Sequence, residues 1–145
     1  MSRLHVIAVF VAIVFSFAYP IRPHAQALST PDVQKSSILA NMRASITRAI
    51  GAEDQTVEIT MAGNLLIILR VNSNMNDATH GGRNNEATAI AAIISKAIFG
   101  RPEFKNLVTL TVQFVVRPAP GAKSSVIDTV EFREDPSGQF RYHQT

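Results

Sequence analysis

The chain has 145 residues, no cysteine and a formal charge of +3. That length holds one domain of ordinary size, and the missing thiols exclude lipoprotein anchoring and a disulfide framework. Its basic residues are scattered rather than gathered into a stripe, which excludes the usual footprint of nucleic-acid binding.

The first segment has the layout of a secretion signal. Arg3 supplies positive charge, Leu4 to Tyr19 is almost wholly apolar, and Pro20 breaks the run. Ala25-Gln26-Ala27 then places small residues at the two positions a signal peptidase reads. The pattern predicts a cleavable signal peptide over residues 1–27 and a single domain over residues 28–145. The apolar run falls short of the roughly 20 residues that span hydrocarbon, and no second long run follows it. The expectation is a periplasmic or extracellular protein with no stable membrane span after cleavage. Losing Arg3 and Arg22 leaves 12 basic and 11 acidic residues, so charge points to no particular partner. An exported small domain without disulfides must be held by its core.

Thr30-Pro31-Asp32 reads as a helix start, with a capping hydroxyl, proline at the first helical position and a carboxylate in the first turn. Ile38, Leu39, Met42, Ile46 and Ile50 recur at three-to-four spacing, and Gly51 is a natural stop. Val57, Ile59 and Met61 alternate with polar residues as a half-buried strand does. Ala62-Gly63-Asn64 reads as the turn. Leu65, Ile67, Leu69 and Val71 are expected to form the core face of a second strand, leaving Leu66 and Ile68 on its outer face.

Asn72 to Asn85 is polar, contains Gly81-Gly82 and reads as a long loop. A second helix is expected from about Glu86 to Phe99, with Ala87, Ile90, Ala91, Ile94, Ala97 and Ile98 on one stripe, ended by Gly100 and Pro102. Val108 to Val116 is the clearest strand. Val126, Val130 and Phe132 alternate in a fourth, where Asp128 falls on the inward side and marks a bulge. Asp135-Pro136-Ser137-Gly138 suits a type I turn, and Phe140 and Tyr142 suit a short last strand. The predicted class is α+β, in the order αββαββ with a short extra C-terminal strand. Two helices would pack on one face of a mostly antiparallel sheet. Ile46-Thr47-Arg48-Ala49-Ile50 and Ile94-Ser95-Lys96-Ala97-Ile98 match in character, each with a glycine soon after.

Candidate chemistry is sparse. His80 lies near Asp77, a pairing that can bind metal or move protons; two such residues on a loop make no metal site, and a solvated histidine is the plainer reading. Asn72-x-Asn74-x-Asn76 lacks the first carboxylate and the turn glycine of a calcium loop, and Arg83 stands where its glutamate belongs. Gly81-Gly82-Arg83 before a helix could hold a phosphate or carboxylate on free N–H groups and a guanidinium, although Glu86 would repel an anion. No cysteine, G-x-S-x-G elbow or serine–histidine spacing supports nucleophilic catalysis, so no catalytic residue and no cofactor is expected. Leu66 and Ile68 on an outer face would suit a homodimer interface, an envelope-protein partner or an apolar ligand. Alternatively, the C-terminal segment with Phe140 and Tyr142 covers them.

Several stretches together set a family likeness: Thr56-Val57-Glu58-Ile59, Gly63-Asn64-Leu65, Glu86-Ala87 with Ile90-Ala91, and Asn106-Leu107-Val108-Thr109-Leu110. Over Ser36 to Val116 the chain resembles the BON domains of bacterial envelope proteins, while the segment after Pro118 has no counterpart there. The resemblance implies a periplasmic module for envelope association or stress tolerance, and it carries over no catalytic residue. The functional expectation is an exported binding module acting through Leu66, Ile68, Gly81, Gly82 and Arg83. The alternative is a small hydrolase using His80 and nearby carboxylates.

Overall fold

The structure, a computed structural model, describes residues 30–143. The predicted signal peptide lies outside the described residues. Helix α1 spans Thr30–Ile50. Gly51 takes φ +63° and the Ala52 N–H donates to the Thr47 carbonyl at 2.9 Å. This six-to-one bond closes a helix through a left-handed glycine.

Strands β1 (Val57–Ala62) and β2 (Leu65–Val71) form an antiparallel hairpin. Its turn is two residues long, because Ala62 stands opposite Leu65. Met61 therefore faces Leu66, Ile59 faces Ile68 and Val57 faces Arg70. Opposed residues share a face, and shifting the register by one residue swaps every side chain to the other side. Counting Ala62 as part of the turn makes that shift. The predicted faces of β2 are thus inverted: Leu66 and Ile68 are both 0% exposed in the core, whereas Leu65, Ile67 and Leu69 are half-buried on the other side. β2 is apolar on both faces, so alternation within it could not reveal the error.

Helix α2 spans His80–Ile98, starting six residues before its predicted position. Thr79 caps it, its Oγ1 accepting from the Gly82 N–H at 3.2 Å. The cap is effective enough to carry Gly81 and Gly82 into the first turn despite their poor helix propensity. The expected loop is correspondingly short, and a 3₁₀ turn at Asn74–Asp77 occupies part of it.

Strands β3 (Thr109–Val116), β4 (Ser125–Glu134) and β5 (Phe140–Tyr142) follow. The sheet runs β1-β2-β3-β4-β5. The β2–β3 pairing is parallel and the other three are antiparallel. A parallel pair needs a crossover, and α2 supplies it. The predicted bulge is present, since Asp128 pairs with Phe114 while Val126 pairs with Val115. Over the described residues the molecule is therefore α+β, with two α-helices and a five-stranded mixed sheet. Its core joins Met42 and Ile46 of α1 and Ile90 and Ile94 of α2 to Ile68, Val112 and Val130 of the sheet.

Candidate ligand cleft between α2 and β5

The residues singled out in the sequence fall into three places. Leu66 and Ile68 lie in the core, where they can meet no partner. Gly81 and Gly82 are in the first turn of α2, and the cap hydroxyl already engages the Gly82 N–H. Arg83 turns away from that terminus: its Nε donates to Asp128 Oδ2 at 2.7 Å and its Nη1 to the Ala78 carbonyl at 2.5 Å. The predicted anion site is thereby dismantled, because its guanidinium serves an internal carboxylate and a loop carbonyl.

His80 pairs not with Asp77 but with Asp128, Nδ1 to Oδ2 at 2.8 Å. Burial alone would raise the Asp128 carboxyl, but hydrogen bonds from Arg83, His80 and the Thr129 N–H outweigh it and hold it below its ordinary range. The imidazole is 59% exposed, and no group of three or more metal-ligating side chains occurs among the described residues. Arg83 and His80 share one carboxylate oxygen, so the cluster ties the start of α2 to the β4 bulge. That is a clamp.

A second charged contact sits on the core face. Arg70 is 2% exposed. Its Nε meets Glu86 Oε1 at 2.6 Å, and its Nη1 donates to Thr56 Oγ1 at 2.8 Å and the Thr56 carbonyl at 3.2 Å. A cavity of about 260 Å³ lies against Arg70, Thr56 and Ser73.

The larger opening is elsewhere. Thr88, Ala92, Ser95 and Phe99 recur along α2 at helical spacing, forming a second stripe beside the core-facing one. This stripe faces the segment Gly138–Arg141, and between them runs a cleft of about 550 Å³, within the size range of small-molecule sites. Phe99 is 70% exposed and forms one wall. Gly138 takes φ +77°, a conformation that favours glycine, and lies beside the Phe99 ring, where an added Cβ would make an ordinary contact at 3.6 Å. The Asp135–Gly138 turn that presents this glycine is held by Asp135. Hydrogen bonds from Ser137, Arg141 and the Gln139 N–H lower the Asp135 carboxyl well below the usual carboxylate range.

The polar fittings of the cleft are few. Ser95 Oγ donates to the Ala91 carbonyl at 2.9 Å and accepts from the Phe140 N–H at 3.1 Å, tying β5 to α2. Thr88 Oγ1 donates to the Asn84 carbonyl at 2.8 Å. Two cations line the cleft, Lys96 and Arg141. Arg141 meets Asp135 at 3.0 Å, whereas Lys96 has no carboxylate within ion-pair distance among the described residues. On the far side of Phe99 a smaller cleft of about 340 Å³ runs past Arg101, Pro102 and Glu134.

Sequence reasoning missed this site. One signal was there: Phe99 is a large aromatic lying off the core stripe, one position past Ile98, and nothing in the helix pattern requires it. The other wall is drawn from a turn and a three-residue strand far along the chain, and no local pattern brings the two together. Comparison of the chain with family models, curated proteins and solved structures finds no match.

Proposed function

We propose that the chain is exported to the periplasm or cell exterior and acts there as a small binding module of the envelope, with the α2–β5 cleft as its ligand surface. The observation that carries this reading is an exposed aromatic wall beside an unpaired cation, over a cleft large enough for a small molecule. An exposed aromatic ring at the wall of a concavity offers apolar surface that a small ligand can bury. Export rests on the leader pattern of residues 1–27. In the proposed architecture both helices cover one face of the sheet, since the buried residues of α1 and α2 join a single core with Leu66, Leu110 and Phe132. Those three stand opposite one another in register and so share a face. The order α1-β1-β2-α2-β3 suits the BON-type resemblance, with β4 and β5 as additions.

The hydrolase alternative has one observation in its favour, the 2.8 Å contact of His80 with Asp128. Against it, Arg83 occupies the same carboxylate oxygen, and none of the clefts described above includes His80.

The test is amide shift mapping by NMR while a library of small envelope metabolites is titrated. Shifts should concentrate on Thr88–Phe99 and Gly138–Arg141 and vanish in Ala92→Trp, which fills the cleft from an exposed position. Shifts elsewhere, or unchanged in Ala92→Trp, would reject the cleft. N-terminal sequencing of the exported protein should begin at Leu28; an intact leader would reject the export reading.

A further inference from the structure

We infer that the α2–β5 cleft takes a small aryl carboxylate, a ligand with a flat apolar body and one negative charge; this rests on the cleft being the binding surface. Five observations narrow the chemistry. The side chains of Ala92, Phe99 and Phe140 make the walls apolar, so the body of the ligand must gain more from leaving water than it loses in polar contacts. The Phe99 ring is largely uncovered and stands at the mouth, where an aromatic partner can stack offset or edge-on.

Charge fixes the other end. Lys96 and Arg141 line the cleft and no carboxylate does. Arg141 is engaged by Asp135, which leaves the Lys96 ammonium as the point of attraction. A cation would meet two like charges there, and a neutral ligand would leave Lys96 unused. Polar capacity beyond that is the Gln139 side chain, because Thr88 and Ser95 already spend their hydroxyl protons on helix carbonyls. This disfavours a sugar or other polyol.

An extended peptide is disfavoured at the start of β5. Adding a strand requires outward-facing backbone groups, and the Phe140 N–H is already given to Ser95 Oγ of α2. The first outward donor of that edge is thus taken at Phe140, a residue that lines the cleft, and an added strand would have to do without it.

The experiment titrates 2-naphthoate, 2-naphthalenemethanol and 2-naphthylmethylammonium into the exported protein and follows amide shifts of Thr88–Phe99. Naphthoate should bind tightest and the ammonium weakest. Lys96→Gln should weaken naphthoate by roughly two- to five-fold, the range for an exposed ion pair, and leave the alcohol unchanged. Lys96→Glu should reverse the order of naphthoate and ammonium. Equal binding of all three probes, abolished by Ala92→Trp, would overturn the charge assignment while the cleft itself stands. Absence of any shift with all three probes overturns the aryl-carboxylate inference. If the metabolite library also leaves these amides unmoved, the cleft reading fails with it.

Discussion

Removing the carboxylate of Glu86 should destabilise the fold more than any change at the rim of the cleft. Arg70 is 2% exposed on the core face of β2, and a guanidinium cannot shed its charge at ordinary pH. Breaking a buried pair from one side costs about 3–5 kcal/mol, because the surviving charge is left uncompensated. Here Arg70 Nη1 keeps Thr56 Oγ1 and the Thr56 carbonyl, which places Glu86→Ala near the lower end, about 3 kcal/mol. Glu86→Gln retains an acceptor and should lose about half of that, since a neutral hydrogen bond is roughly half as strong as a charge-assisted one. Replacing both partners with apolar residues, as in Arg70→Met with Glu86→Leu, leaves no stranded charge and should fall within about 1 kcal/mol of the parent. Urea unfolding of the four proteins measures this as a shift in midpoint at constant slope. A Glu86→Ala loss below about 1 kcal/mol, or a double variant weaker than the single one, would refute the reasoning, which ties the 3 kcal/mol to a stranded charge.

Leu66→Ala should cost about 2–5 kcal/mol, as a core leucine does, and Leu66→Asp should prevent folding rather than disrupt a partner; circular dichroism separates these from a surface effect. Asp128 has a folded-state pKa below its unfolded one, so its contribution is complete above about pH 4 and fades as pH falls through the lower folded value. Denaturation midpoints of the parent and Asp128→Asn should therefore differ most near neutrality and converge in acid; a constant gap would contradict the clamp. Ala92→Trp should change stability by no more than about 0.5 kcal/mol, as exposed substitutions usually do, and a larger loss in thermal melts would disqualify it as a probe of the cleft. Gly138→Ala should destabilise by about 1 kcal/mol, because a side chain at φ +77° is strained.

Most of the framework was legible, and the failures have identifiable causes. The limits of α1, the strand Thr109–Val116 and the bulge at Asp128 all followed from local pattern. The start of α2 did not, because Gly81-Gly82 weighs against a helix in any window average, while one hydroxyl on Thr79 decides the matter. The faces of β2 turned on whether Ala62 belongs to the turn or the strand, a distinction composition cannot make. The candidate site was the least legible part. Its two walls are joined by a hydrogen bond between Ser95 and Phe140, 45 positions apart, and each wall is unremarkable until the other is in place.

The parallel seam between β2 and β3 has a kinetic consequence. The hairpins β1–β2 and β3–β4 each close a short loop and can form from neighbouring residues. Joining them requires the whole intervening segment, α2 included, to be looped and docked before any bond of the seam is made. Closing that long loop costs more chain entropy than closing either hairpin, so the β2–β3 seam is the non-local pairing that weighs most on the folding rate of this sheet.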